Sequence, residues 1–501
     1  MSALRLFLVL SLVGCSREEP PFAAPATSSR IDAPPAATAS TAPEPSPSAA
    51  SPGPGELPSS PEYLVAEGDA PQLYALAQPT YVYDLPDTAK RKLGWLRPGG
   101  AVRRAEKPVA ISRRCRDGWY RIAPRGFVCA GTETTEDPNH PLVLALGKPP
   151  ARGEPLPYLY ARSRGNPPFL YAKIPSPREQ RATEGESVGE RIESASRYAM
   201  LQIAGEPSAL PSFLEGGKVL PRPLNQQRAL RSGVHRGLAS YRSSFAFASV
   251  FDAGGRLFGL STDADLVALD RVKLVRATAI HGGEVRDLPA AIATRPLARF
   301  RLVDGKVTAD GFFDAWATLS LTGRVEGELV EESGGAFVAK PQVVLPRRTS
   351  FPKFAEEGGE KWLDIDIGTQ TLVAYEGRRA VYVALVSTGA AGTGDPETTP
   401  STVQGYFRIQ TKHVTATMTG NRADVDEYEL GDVPYVQYFQ GSYALHAAFW
   451  HERFGHPHSH GCVNLTPRDA AWIFAWTEPN VPASWHGVDA AGAGTIVYVH
   501  G

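Results

Sequence analysis

The sequence predicts a mainly β protein, with a sandwich-like C-terminal domain holding one or two helices and small barrel-like β units ahead of it. Three observations carry this expectation. Short apolar runs, several with period-two alternation, recur from residue 70 to the C-terminus, which is the pattern of half-buried strands. Glycine and proline, 48 and 44 of 501 residues, separate those runs as turn signals. Only the stretch after Thr466 combines an N-cap, a first-turn proline and a helical apolar face.

The length leaves room for about two to four domains. The apolar fraction of 42% suits globular cores, and the net charge of -1 offers no bulk basicity for nucleic acid. No nucleic-acid partner is therefore expected.

Residues 1–15 read as a targeting signal. Arg5 precedes an apolar run from Leu6 to Val13, too short to span a bilayer. The closing Leu12-Val13-Gly14-Cys15 resembles a bacterial lipobox, which implies cleavage before Cys15 and lipidation of its thiol. Ser16 at the next position is similar to the outer-membrane-sorted class, so the expected location is extracytoplasmic, lipid-anchored and facing the periplasm. Residues 16–65, rich in Pro, Ala, Ser and Thr, cannot bury a core and read as a disordered tether.

Residues 70–135 read as a small β domain. Tyr81-Val82-Tyr83, Val102-Arg103-Arg104 and Trp119-Tyr120-Arg121-Ile122 are strand-like, with Gly99-Gly100, Asp117-Gly118 and Arg125-Gly126 as turns. The run from Asp117 to Ile122, closing on Gly126-Phe127-Val128, resembles a bacterial SH3-like domain, which implies either wall-peptide binding or a purely structural barrel. Cys115 and Cys129 flank a likely hairpin, fourteen residues apart, and can pair. With Cys15 lipidated, Cys462 is left as the odd thiol among the four cysteines. Residues 140–350 read as a β-rich middle region of unassigned role, in which His235 and His281 are lone histidines.

Residues 361–501 alternate more regularly. Trp362 to Ile367, Thr371 to Tyr375, Ala380 to Val386, Tyr406 to Ile409 and Thr495 to Val499 read as strands. The helix follows, with Thr466 as N-cap, Pro467 at the first position and Asp469 at the third.

The chemistry gathers in this region. A thiol near its ordinary pKa of about 8.5 needs a base or a positive field. His460 stands two residues before Cys462 and His446 sixteen before it. The helix opening at Pro467 is expected to turn its positive end towards the sulfur. Gly461 permits close approach of a carbonyl, with the Gly461 and Cys462 N–H groups as oxyanion donors. Nucleophile, base and oxyanion donors make the set for acyl transfer.

A His, a spacer, then Ser-His-Gly-Cys, a hydrophobic residue and Asn or Arg form the signature of the L,D-transpeptidase catalytic domain. Here His446 is followed by Ser459-His460-Gly461-Cys462-Val463-Asn464, and the C-terminal region is identified as a member of that family. Lys361 to Asp366, Gln370-Thr371-Leu372, Val386-Ser387-Thr388-Gly389, Gly405 to Ile409 and Tyr443-Ala444-Leu445-His446 are similar to its other blocks. The resemblance implies Cys462 as nucleophile, His446 as base, and His460 as a stabiliser of the site. It further implies Ser459, Gly461, Asn464 and Tyr443 around the oxyanion and substrate. Thr399-Pro400 lies farther from Gly405 than in the family, which remodels that loop. The implied reaction attacks a peptidoglycan tetrapeptide stem, forms a thioester and passes the acyl group to an amine, that of another stem or a wall-attached protein. No cofactor is implied.

Three rival readings remain at this stage. The same cysteine could act hydrolytically, as an L,D-carboxypeptidase or amidase. The domain could be a non-catalytic wall-binding scaffold. His456, His458, His460 and Cys462, with His446 and His451, could hold a metal, although Pro457 disfavours the regular strand this needs. No metal is expected, and His451, His456 and His458 are expected as exposed loop residues.

Overall fold

The computed structural model describes residues 57–501, apart from Gln227, Arg348, Thr349, Gly358, Ala423 and Asp424. The expected signal segment with Cys15, and the expected tether up to residue 56, lie outside the described residues. Residues 57–65, expected as its disordered end, are instead folded, with Pro61–Tyr63 a short 3-10 helix, Leu57 packed beside Trp119 and the Glu62 carbonyl accepting from the Lys107 N–H.

The mainly β architecture is as expected. Among the described residues, however, no sheet closes into a barrel. The strands of residues 72–135 split between two ladders. Gln72–Ala75 pairs with Ala101–Arg103 and Thr134–Thr135. Lys92–Leu96 (β1) pairs with Thr80–Tyr83 and belongs to a sheet that continues into the C-terminal region. Cys115 and Cys129 form a disulfide, with Cα atoms 5.7 Å apart.

The middle region is β-rich but not wholly β. Helices Pro177–Glu184, Val188–Ser194 and Arg197–Ala204 are inserted after the first two strands of its main sheet, Leu159–Ser163 and Phe169–Tyr171. The first carries its signal in the sequence: Ser176-Pro177 with Glu179 forms a capping box, each side chain bonded to the other's backbone. The buried Arg256 guanidinium ties this helical corner to the sheet through Glu184 and Asp270, both at 2.8 Å. The long strand Ser244–Ala253 (β2) reaches the C-terminal region. Residues 290–344 form a separate seven-stranded sheet.

In the C-terminal region Lys361–Asp366 (β3), Thr371–Glu376 (β4) and Arg379–Ser387 (β5) form an antiparallel meander. Gly405–Arg408 (β6) follows. Thr411–Arg422 (β7) and Val425–Gln440 (β8) make a long hairpin, and Tyr443–Ala447 (β9) pairs antiparallel with β8. Val463–Leu465 (β10) lies parallel to β9 and antiparallel to β5. The helix Pro467–Trp476 (α1) then packs on the sheet. Gly487–Asp489 (β11) joins β7 to β1, and Ile496–His500 (β12) runs parallel to β3 and antiparallel to β6.

The alternation in β3 predicts one buried face, yet both are covered. Leu363 and Ile365 enter the core beneath α1. Trp362 packs with Tyr375, Val383 and residues 280–292 of the middle region. Asp364 and Asp366 are buried: Asp364 meets His500 at 2.7 Å, and Asp366 accepts from the Thr369 N–H through one oxygen, while its other oxygen has only Arg347 at 3.9 Å. Buried polar groups are retained where partners are built in.

The N-terminal strands are welded to this sheet. Gly94 of β1 lies against Gly487 of β11; a Cβ on Gly94 would stand 2.3 Å from the Gly487 carbonyl oxygen, and one on Gly487 1.9 Å from the Trp95 ring. Trp485 and Val488 complete a core formed by Leu73, Val82, Leu93 and Ile122.

Candidate active site

The parallel pairing of β9 and β10 sets the site. Leu445 stands opposite Val463 and His446 opposite Asn464. Side chains two apart on a strand share a face, so His446, Asn464 and Cys462, just before β10, point the same way. With strands about 4.8 Å apart and about 3.3 Å of rise per residue, Cys462 is the diagonal neighbour of His446.

His446 is buried, and its Nδ1 lies 3.1 Å from the carbonyl of Ala447. A carbonyl only accepts, so Nδ1 carries the proton and Nε2 keeps a free lone pair. Burial holds the imidazole down at about 4. The same effect pushes the Cys462 thiol up to about 11, opposed only by the Ala444 N–H. The half-buried sulfur lies 3.6 Å from the Ser442 carbonyl and packs with Tyr438 and Trp450. Both groups are therefore neutral at rest, and no hydrogen bond joins them among the described residues.

The expected helix field does not reach the thiol. Between Cys462 and Pro467 lies β10, which at about 3.3 Å per residue separates them by more than 10 Å. The helix N-terminus is moreover occupied by its own partners. Thr466 accepts from the Asp469 N–H, and the buried Asp469 carboxylate accepts from Thr466, Tyr382 and the Gly282 N–H. A macrodipole acts within about one turn, and here that turn serves a buried carboxylate.

The Ser459–Cys462 turn is braced from within. Ser459 Oγ accepts from the Gly461 N–H at 3.0 Å and donates to the Cys462 carbonyl. This takes the Gly461 N–H out of the pair proposed for an oxyanion and leaves the Cys462 N–H as the donor beside the sulfur. The turn is anchored to the end of β5, where the His458 and Ser459 N–H groups both donate to the Thr388 carbonyl at 2.9 Å. Gln370 clamps Thr388 in turn through its backbone N–H and its hydroxyl. Gly461 has φ +132, and its Cα faces the Tyr443 ring so closely that a Cβ would sit 2.7 Å from it. Tyr443 donates to the Pro396 carbonyl at 3.4 Å, tying in the remodelled loop. His460 is half-buried beside Gly461.

Two histidines expected as exposed are not. His451 and His458 are half-buried with rings 4.8 Å apart, whereas His456 is exposed. His451 Nδ1 accepts from the Arg453 N–H at 3.1 Å, and its Nε2 lies 2.9 Å from the Asn464 amide. The amide atom placed there is Nδ2; because Nδ1 already accepts, a neutral ring donates from Nε2, and the pair bonds with the Asn464 amide turned so that its oxygen faces the ring. Residue types alone could not assign this contact, because it depends on the fold of the loop between β9 and β10. Among the described residues no group of three or more His, Cys, Asp or Glu could hold a metal ion.

The middle region reaches this loop. The Tyr160 and Phe449 rings lie 4.6 Å apart, and an Arg162 N–H donates to the Trp450 carbonyl at 3.1 Å. Trp450 in turn lies 5.7 Å from the His446 ring.

Residues 360–499 match the YkuD family, the L,D-transpeptidase catalytic domain. No curated protein matches the chain. Among solved structures, the chain is similar to an Enterococcus faecium L,D-transpeptidase at 19% identity and TM-score 0.22. That likeness covers 28% of this chain and 50% of the other, so the chain spans about half the length of that relative. An L,D-transpeptidase from Mycobacterium smegmatis is similar at 19% identity and TM-score 0.23, over 44% of this chain and 99% of the other. One from Xylanimonas cellulosilytica is similar at 24% identity and TM-score 0.20, over 30% and 65%.

Proposed function

We propose that the L,D-transpeptidase catalytic domain of residues 360–499 works in this chain as a cysteine acyltransferase on peptidoglycan stem peptides. One observation carries the reading. Parallel strands put Cys462 and His446 on one face, and Ala447 fixes the His446 tautomer so that Nε2 is free to take a proton.

In the proposed reaction Cys462 Sγ attacks the carbonyl carbon after the L-centre of a tetrapeptide stem, and His446 Nε2 takes the S–H proton. The oxyanion accepts from the Cys462 N–H. The intermediate collapses, the C–N bond breaks, and the imidazolium gives its proton to the departing amine of the terminal D-residue. An acceptor amine then attacks the thioester and loses its proton to His446. The acyl–sulfur bond breaks, and Cys462 regains the proton as the new amide leaves. Asn464, oriented by His451, lies beside this path. The reading extends to lipid anchoring through Cys15, residues 16–56 as the tether, and an extracytoplasmic location facing the wall, supported by Leu12-Val13-Gly14-Cys15 and the composition that follows.

The test is the purified full chain incubated with disaccharide tetrapeptide and followed by intact-mass spectrometry. An acyl adduct on Cys462 with a crosslinked product is expected. An adduct that yields only tripeptide would favour hydrolysis, and wild-type protein as inert as Cys462→Ala would overturn the enzyme reading.

A further inference from the structure

A second cavity lies on the other side of the β7–β8 hairpin from Cys462. Leu430 of β8 packs towards the Cys462 cluster, whereas its neighbours Glu429 and Gly431 face the other way and line the cavity. The opposite wall is the middle region, where Ser244 of β2 pairs in parallel with Leu430. The cavity measures about 290 Å³, at the small end of the roughly 300–1,000 Å³ usual for ligand sites.

Its lining is strongly polar and only partly compensated. Asp265 is neutralised within the fold, with Arg236 at 3.0 Å and Arg222 at 3.5 Å. Asp263 is held more loosely: its ion pair with Arg222, which it shares with Asp265, is 3.9 Å long, and no hydrogen bond reaches its carboxylate among the described residues. Burial, together with the negative charges of Asp432, Asp265 and Glu429 and against the opposing charge of Arg222, pushes Asp263 up to about 7, so a cation brought beside it would favour its ionised form. Glu429 and Arg228 also line the space, and neither side chain makes a hydrogen bond or close ion pair among the described residues. Ser244 is only 3% exposed and its hydroxyl has no partner; the Gln226 side-chain oxygen is likewise buried and unpartnered. A buried polar group left unsatisfied costs about 1–3 kcal/mol. Two of them beside charges of both signs held only by long contacts, Arg222 on Asp263 at 3.9 Å and Arg228 on Asp265 through space, describe a built site rather than a packing gap.

We propose that this cavity is a second binding site for a zwitterionic amino-acid centre, with the ammonium between Asp263 and Glu429 and the carboxylate on Arg228 and the Ser244 hydroxyl. Charge complementarity carries the choice. Two acids and one base are left for the ligand, and a carboxylate on a guanidinium with an ammonium on a carboxylate satisfies all three groups. A dicarboxylate would leave the acids repelled, and a diamine would leave Arg228 unpaired. The size suits one amino-acid centre rather than a disaccharide. Such a centre can be a free amino acid or the free end of a diamino acid within a peptide. This inference goes beyond the proposed reaction and stands without it, because the site is separate from Cys462.

The test is calorimetric titration of the full chain with meso-diaminopimelate, with a tripeptide ending in that residue, and with the dicarboxylate pimelate and the diamine cadaverine as controls that each carry charge of one sign only. Saturable binding of meso-diaminopimelate or the tripeptide is expected, at least tenfold tighter than either control. Tripeptide binding assigns the site to wall peptide, and binding of the free amino acid alone assigns it to a free effector; both support the proposal. Binding should fall at least tenfold in Asp263→Asn and in Arg228→Met, and persist in Cys462→Ala. Glu429→Gln, at a partly exposed position, serves as the variant least able to disturb folding, with circular dichroism as the check. No binding, equal binding of a control, or binding unchanged in all three cavity variants would overturn the proposal.

Discussion

Holding both the thiol and the imidazole neutral fixes how Cys462 meets a small electrophile. Burial places Cys462 at about 11 and His446 at about 4. At pH 7.5 a thiol at about 11 is ionised to roughly 3 parts in 10⁴, against about 1 part in 10 for free cysteine near 8.5. The more basic thiolate is the better nucleophile, and a Brønsted slope of about 0.4–0.5 returns roughly tenfold. Cys462 should therefore react with a small neutral disulfide about 20- to 30-fold more slowly than free cysteine at pH 7.5. The rate should climb about tenfold per pH unit towards pH 10. Dithiodipyridine, followed by absorbance of the released thione, measures this in full-length protein carrying Cys15→Ser, where the Cys115–Cys129 disulfide leaves Cys462 as the sole free thiol. His446→Ala should change the rate less than about threefold, because the imidazole acts only once a substrate carbonyl draws the proton off. A plateau between pH 5 and 8, lost in His446→Ala, would mean a thiolate–imidazolium pair at rest and refute the reasoning.

Three further outcomes follow from the geometry. Gly461→Ala places a methyl 2.7 Å from the Tyr443 ring at a φ of +132; strain of about 1–3 kcal/mol and a displaced turn should slow acyl-adduct formation about 100-fold, and a rate within threefold of wild type by intact mass would contradict this. Lys412→Met strips the Phe474 and Thr477 carbonyls of a buried donor at 2.7 and 2.6 Å, which should lower stability by about 2–5 kcal/mol in urea unfolding; an unchanged midpoint would sink the assignment. Burial lowers His446 to about 4 and His413, His451 and His486 to about 3. Since the unfolded histidines bind protons first, their stabilising effect is complete above about pH 6.5 and drains away as pH falls towards 4. The calorimetric Tm should drop across that window, and a flat Tm would argue that these rings are solvated.

Much of the site was legible because it is local. Ser459 to Asn464 forms one turn and the strand after it, so its members are neighbours in the chain, and Thr466-Pro467 with Asp469 marks the helix with equal clarity. The strand alternation placed β3 and β5 but could not show that residues 280–292 cover the outer face of β3. The reach of α1 was misjudged for a related reason. Adjacency in sequence put the helix end five residues from Cys462, while three extended residues carried it away and Asp469 took its N-terminus. His451 on Asn464, and Tyr160 on Phe449, join positions far apart in the chain, and no spacing rule reaches them. The helix after Ser176 is readable from its capping box, but the turn-rich composition around it hides it and the two helices that follow.

The Gly94–Gly487 contact bears on how the chain can be cut and recombined. A side chain on either glycine would force β1 and β11 apart, so an unrelated domain could be grafted here only if it brought its own bare backbone to the seam. Deleting residues 70–135 would not release a free-standing catalytic unit. It would uncover Trp485 and bare one edge of β11, an open row of backbone donors and acceptors that invites pairing with another copy of the chain. Truncations that keep only the catalytic region should therefore fail by self-association, before any question of activity arises.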